Sequence, residues 1–175
     1  MEKDILEKAK KVKLLLLDVD GVLTDGRIIY DSEGREIKFF YVHDGLGVYM
    51  LKKAGIPTIL ITAKGSYAIH PRARDMGVEE VFENVSLKSS ILDKILNKYK
   101  LSSEEICFMG DDLVDLGLMK KVGFKVAVFN ACSEIKSIAD YITLKEAGKG
   151  AVREVAEIIL KSKNLWNDLL REYEV

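Results

Sequence analysis

Short apolar runs alternate with amphipathic segments along this chain. Residues 12–17, 56–61, 105–109, 125–129 and 141–142 read as strands, and Val81-Phe82 as one more. Apolar residues recur at helical spacing in 45–53, 87–98, 113–121, 133–138 and 151–161. Strand and helix in alternation predict an α/β fold, a Rossmann-like parallel sheet with helices on both faces. Glycines at 55, 77 and 123 punctuate the helix ends. Residues 66–76 also read as a helix, but Pro71 lies inside it, so this helix either kinks or begins there.

One segment breaks the alternation. Residues 27–42 read as a β-hairpin with a polar turn, Asp31-Ser32-Glu33-Gly34, inserted after the first strand. A lone hairpin is marginal in water. This one, rich in Ile28, Ile29, Ile37, Phe39, Phe40 and Tyr41, is expected to pack on another subunit, to cover a site, or to fold back on its own core. Residues 164–175 form a helical tail with the only tryptophan, Trp166. It either docks on its own domain or reaches a neighbour.

At 175 residues and 48% hydrophobic content, the chain is expected to form one domain, 1–175, around a full core. Its 27 basic and 28 acidic residues nearly cancel, which points away from nucleic acid and membrane surfaces as partners. Cys107 and Cys132 match no metal-site spacing and read as buried thiols. No apolar run is long enough to span a bilayer, and the start lacks the character of a secretory signal. A cytoplasmic location is the expectation.

The chemistry concentrates at strand ends. Asp18-Val19-Asp20-Gly21-Val22-Leu23-Thr24-Asp25-Gly26 leaves the apolar run Leu14-Leu15-Leu16-Leu17. In open α/β sheets ligands bind at that carboxyl edge. Two carboxylates held together there need a compensating cation, and Mg²⁺ suits carboxylate oxygens. Other predicted strands end in Thr62 and in Gly110-Asp111-Asp112, with Asp115 beyond, and Lys88 follows Val81-Phe82. Parallel strands gather all of these at one edge.

The set fits phosphoryl transfer. A phosphate monoester is a dianion that repels a carboxylate nucleophile; Mg²⁺ and Lys88 would reduce the repulsion, and Thr62 would donate a hydrogen bond. A covalent aspartyl-phosphate splits hydrolysis into two displacements. Asp20 is placed to protonate the leaving group and later to accept a proton from water. Plainer readings stand beside these. Lys88 is a solvated lysine, Thr62 or Asp112 a helix cap, His43 a structural residue, and 148–153 an ordinary turn into a helix.

The motifs Asp18 to Gly26, Thr62, Lys88 and Gly110-Asp111-Asp112-Leu113-Val114-Asp115 resemble the four motifs of the haloacid dehalogenase superfamily. With the hairpin, Val42-His43-Asp44-Gly45-Leu46-Gly47 and Gly148-Lys149-Gly150-Ala151-Val152-Arg153-Glu154, the chain looks more narrowly like the 3-deoxy-D-manno-octulosonate 8-phosphate phosphatases. That resemblance implies hydrolysis of a sugar-acid phosphate monoester, with Asp18 as nucleophile and Asp20 as general acid/base. It implies Mg²⁺ on Asp18, the Asp20 carbonyl and Asp111, and a phosphoryl group held by Thr62 and Lys88. Asp112 and Asp115 would support the metal or orient Lys88. Lys149 and Arg153 become candidates for contacts to the sugar acid or the tail. It also implies the absence of a large cap domain, a homotetramer with hairpins meeting at its centre, and a role in making the lipopolysaccharide sugar acid. Two positions depart from the family pattern: Ala63-Lys64 stands where Gly-Arg is common, and His43 where Arg is common. Guanidiniums grip carboxylates bidentately, so Lys64 and His43 place the identity of the sugar acid in question. A nine-carbon acid 9-phosphate is the alternative substrate. A receiver-like phospho-aspartate switch is the alternative class, and turnover number separates it from an enzyme.

Overall fold

A computed structural model describes residues 3–174. Six parallel strands form the main sheet: β1 (Leu14–Leu17), β4 (Thr58–Ile61), β5 (Glu80–Phe82), β6 (Ile106–Gly110), β7 (Phe124–Ala127) and β8 (Tyr141–Ile142), in the order β5-β4-β1-β6-β7-β8. Strand β1 is Leu at all four positions and fully buried, as a central parallel strand covered on both faces requires. It pairs with β4, Leu17 opposite Leu60, and with β6, Leu17 opposite Met109.

From β1 the chain steps outward through α2 (Val42–Lys53) to β4 and through α3 (Ile69–Met76) to β5. It then crosses back through α4 (Leu92–Tyr99) to β6 and steps the other way through α5 (Leu116–Met119) and α6 (Ser133–Ile138). Right-handed crossovers put the first two helices on one face and the next three on the other. Helices α1 (Lys3–Lys11) and α7 (Ala151–Ser162) join α2 and α3: α7 packs on both α1 and α2. The reversal of direction falls between β1 and β6, the topological switch point where such sheets bind ligands. No helix among the described residues is long and apolar enough to cross a membrane.

The elements depart from the sequence pattern in instructive places. Helix α1 has a single fully buried residue, Ala9, and its Lys-rich sequence hid it. Strand β1 starts at Leu14 rather than at residue 12, because α1 ends at Lys11. Helix α2 starts three residues before Gly45, which puts His43 and Asp44 in its first turn. Pro71 is the third residue of α3, where a backbone N–H has no intrahelical acceptor, so the helix tolerates it without a break. The stretches 87–98 and 113–121 each open with a 3₁₀ turn, Lys88–Ile91 and Leu113–Asp115, before α4 and α5.

The inserted hairpin is short. Strands β2 (Ile29–Tyr30) and β3 (Glu36–Ile37) pair antiparallel around an Asp31–Arg35 turn in which the carboxylate accepts from the Arg35 backbone and side chain. Ile28, Tyr30, Ile37, Phe39, Tyr41 and Val42 stay exposed, while Phe40 packs on the core. The tail forms α8 (Trp166–Arg171), which folds back on its own chain: Arg153 and Lys161 lie over the Trp166 ring and Leu169 is buried.

Candidate active site

The β1 chain leaves the sheet at Asp18, whose N–H donates to the Met109 carbonyl of β6 at 3.1 Å. That bond carries the β1–β6 pairing one residue past the strand and fixes where the carboxylate starts. The side chain is buried; its Oδ1 accepts from the Val19 N–H at 2.7 Å and lies 2.6 Å from Lys88 Nζ. Lys88 Nζ is equally close, 2.6 Å, to Asp115 Oδ1. At 1% exposure Lys88 is no solvated lysine. Burial pulls its pKa down, but the charges of Asp18 and Asp115 outweigh this and leave it raised.

Asp115 uses both oxygens. While Oδ1 takes Lys88, Oδ2 accepts the Asp111 N–H at 2.9 Å, which fixes the loop leaving β6. This closure depends on Gly110, because a Cβ there would lie 2.5 Å from Asp115 Oδ2. Gly21 has the same role opposite Asp111: φ is +86°, and a Cβ would fall on the Asp111 carboxylate. Oxygens of Asp18, Asp111 and Asp115 all lie within 4.8 Å of one another. Burial, then the charge of Asp115, pushes the Asp18 pKa up to about 6. Burial, then the charges of Asp18 and Asp115, pushes Asp111 up to about 8. Three carboxylates against one ammonium leave surplus negative charge in a buried spot, and oxygen donors suit a hard divalent cation. The residues fit Mg²⁺.

Thr62 follows β4, and the β1–β4 register sets it level with Val19, one strand from Asp18. It is buried, and its hydroxyl donates to the Lys64 carbonyl at 2.9 Å and accepts the Lys64 N–H at 3.2 Å, so it shapes the loop after β4 and caps no helix. Asp20 lies nearer the surface. Its Oδ1 is 2.5 Å from Lys38 Nζ and 3.4 Å from Thr24 Oγ1. Asp112 is exposed and accepts the Leu113 N–H at 2.8 Å; it caps the 3₁₀ turn.

The remaining sequence candidates stand apart from the acid cluster within this chain. Exposed His43 meets Tyr41 edge to face, with ring centroids 5.0 Å apart. Lys149 pairs with Glu146 at 2.7 Å. Arg153 pairs with Glu157 at 2.8 Å, one turn further along α7. Lys64 lies closer to the site, in a cleft of about 670 Å³ between the hairpin and the loop after β4, lined in part by Tyr30, Arg35, Glu36, Ser66 and Tyr67. Its ammonium contacts Tyr30 OH at 2.8 Å and Glu36 Oε1 at 3.2 Å.

Two groups at or beside the site were not among the sequence candidates. Lys38 joins Asp20 to Glu36, and the signal for it is the alternation Glu36-Ile37-Lys38-Phe39-Phe40-Tyr41. Extended chain puts Glu36 and Lys38 on one face and Ile37, Phe39 and Tyr41 on the other. The charged face turns inward and the apolar face outward, the reverse of a hairpin lying on its own core. Asp44 is buried at the start of α2, accepts from the Gly150 and Arg153 N–H groups, and so caps α7 from a neighbouring helix. It joins the 42–47 and 148–154 motifs that the sequence had singled out separately.

Comparison with known proteins identifies the family of this fold. A family model for haloacid dehalogenase-like hydrolases matches residues 75–155. The 3-deoxy-D-manno-octulosonate 8-phosphate phosphatase KdsC of Escherichia coli K12 is 37% identical over 157 residues, 90% of this chain and 84% of that one. A crystal structure of the same phosphatase from Moraxella catarrhalis, in complex with magnesium, phosphate and KDO, superposes with a TM-score of 0.96 at 40% identity over 99% of both chains. The cobalt-bound Haemophilus influenzae phosphatase gives 0.86 at 34% identity over 90% of this chain and 92% of that one. The fold is thus the α/β sheet of these hydrolases, and no large cap is evident among the described residues. The chain belongs to the haloacid dehalogenase-like hydrolases, in the family of 3-deoxy-D-manno-octulosonate 8-phosphate phosphatases.

Proposed function

We propose that this protein is a Mg²⁺-dependent phosphatase that hydrolyses 3-deoxy-D-manno-octulosonate 8-phosphate to the sugar acid and inorganic phosphate. The reading rests on one observation above all: the buried Asp18 carboxylate, held 2.6 Å from Lys88 within 4.8 Å of the Asp111 and Asp115 oxygens, at the sheet's switch point. The names of the relatives and the Moraxella complex support the substrate.

In the mechanism, an Asp18 oxygen attacks phosphorus in line with the bond to the sugar oxygen. That bond breaks as Asp20 delivers a proton to the departing oxygen. Lys88, fixed by Asp115, stays beside the reacting oxygens and offsets their charge. Water then attacks the aspartyl-phosphate and gives its proton to Asp20, and the P–O bond to Asp18 breaks to release phosphate and restore the carboxylate. Asp18, Asp111 and the Asp20 carbonyl would hold Mg²⁺, which when bound neutralises charge on the phosphoryl oxygens. Thr62 contributes a hydroxyl to the same group. The sugar acid body occupies the cleft lined by Tyr30 and Lys64.

The whole chain acts as one catalytic domain in the cytoplasm, assembled as a homotetramer. The uncovered Ile28, Ile37 and Phe39 on the outward hairpin face support the assembly. His43 would act on the substrate, and Lys149 and Arg153 on the sugar acid or the tail. Ala63-Lys64, at a place where Gly-Arg is common, carries a second reading within the same chemistry, a nine-carbon sugar acid 9-phosphate. kcat/KM across a panel of phosphorylated sugar acids ranks the two substrates. Asp18→Asn tests the chemistry: phosphate release is expected to stop while the circular dichroism spectrum is retained, and undiminished turnover would reject Asp18 as nucleophile.

A further inference from the structure

We propose that Lys38, supplied by the inserted hairpin, is a positioning residue for the acid/base carboxylate of Asp20. The inference rests on the reading of Asp20 as acid/base given above. Lys38 has a 2% exposed side chain, although it sits in a segment whose apolar residues face solvent. Its ammonium lies 2.5 Å from Asp20 Oδ1 and 3.4 Å from Glu36 Oε1, so two acids from different segments fix its place. Thr24 Oγ1 reaches the same Asp20 oxygen at 3.4 Å, and is itself held by accepting the Gly21 and Gly26 N–H groups.

Among the described residues both donors found on Asp20 converge on Oδ1. That arrangement leaves Oδ2 as the oxygen that carries the shuttled proton. A carboxylic acid protonated on Oδ2 still accepts hydrogen bonds at Oδ1. Lys38 and Thr24 therefore hold the group through both half-reactions. In the first, the Oδ2 proton passes to the sugar oxygen as its bond to phosphorus breaks. In the second, Oδ2 takes a proton from the water whose oxygen bonds to phosphorus. Lys38 neither gives nor takes a proton. Proton transfer is efficient only when the carboxyl oxygen stays within hydrogen-bond reach of the reacting atom. Lys38 thus makes the hairpin part of the acid/base machinery as well as a wall of the cleft.

The test compares kcat/KM for the sugar phosphate with kcat/KM for p-nitrophenyl phosphate, whose phenolate departs without a proton. Lys38→Met is expected to lower the ratio of the two by about tenfold, a part of the 10²–10⁴ a general acid contributes. Lys38→Arg, which keeps a donor for Oδ1, is expected to restore most of it. Asp20→Asn is measured in parallel and should show the same selective loss more strongly. If Asp20→Asn is selective but Lys38→Met weakens both substrates equally, or neither, the role of Lys38 is overturned and the acid/base reading stands. If Asp20→Asn weakens both equally, the acid/base reading falls and takes this inference with it. Should Lys38→Met fail to fold, Lys38→Gln is read on the same ratio with the same two outcomes.

Discussion

Asp115 and Lys88 form a buried pair at 2.6 Å that holds the ammonium equally close to Asp18. Asp115 comes from the 3₁₀ turn after β6 and Lys88 from the one before α4, so the pair ties two loops beneath Asp18. Removing the ammonium leaves Asp18 and Asp115 facing each other without compensation. Lys88→Met is expected to lower kcat by about 10²–10³, the usual loss on deleting one preorganised charge stabiliser. Breaking a buried pair also destabilises by about 3–5 kcal/mol. Urea unfolding of the metal-free protein checks the second figure and steady-state kinetics the first.

The acid cluster predicts how metal-free stability depends on pH. Asp18 and Asp111 ordinarily titrate at 3.8 and are raised to about 6 and about 8 in the folded protein. Between those limits the native state binds more protons than the unfolded chain, so stability falls as pH rises. The contribution is fully present below pH 3.8 and is lost as pH climbs through about 6 and then about 8. Mg²⁺ must displace those protons to bind. Its stabilising effect should therefore grow across the same window. Thermal melts with and without Mg²⁺ from pH 5 to 8.5 (roughly the window set by the two raised groups) check this; a Mg²⁺ effect independent of pH would contradict it.

Much of this site was legible because its chemistry sits at strand ends. The run Leu14-Leu15-Leu16-Leu17 can only be a buried strand, and the residue after it is Asp18. Asp111, Thr62 and Lys88 follow from the same rule, since parallel strands bring distant carboxyl ends together. The alternation in 36–41 turns Lys38 inward, but its partner Asp20 lies 18 positions away in another segment, so the pair was hidden. Arg153 was read as a contact to the sugar acid or the tail; within this chain its guanidinium pairs with Glu157 one turn along α7 and lies over the tail's Trp166. Helix α1 was missed because it is short and Lys-rich, although Ile5 and Ala9 line one face of it against the core.

Asp44 caps a helix it does not belong to. Its Oδ1 accepts the Arg153 N–H at 2.8 Å and its Oδ2 the Gly150 N–H at 3.3 Å, at the start of α7. Gly150 brings no side chain to do this itself. Asp44→Ala would leave those donors buried without an acceptor, so a loss of about 2 kcal/mol is expected, the upper end for a lost cap. In a chain of this length that lowers Tm by about 4–8 °C. Because Asp44 is buried, and burial raises its pKa, Asp44→Asn should cost less than Asp44→Ala. Differential scanning calorimetry of the two variants gives the order.

The tail lies at the far end of the molecule from the acid cluster. Helices α2 and α7 both start near Asp44, on the carboxyl side of the sheet, and run away from it. Helix α2 is 12 residues, about 18 Å of rise. Glu172, just after α8, pairs with Lys53 at the other end of α2. Trp166, under Arg153 and Lys161, and buried Leu169 anchor α8 on α7. Removing residues 164–175 strips this cover from the α7 surface but touches no group that reacts. Loss of the partly buried Trp166 and the buried Leu169 should destabilise the protein by about 3 kcal/mol or more. kcat/KM measured well below the melting temperature should stay within about twofold, because no transition-state contact is removed. A large rise in KM with unchanged stability would instead place the tail in the active site of a neighbouring subunit.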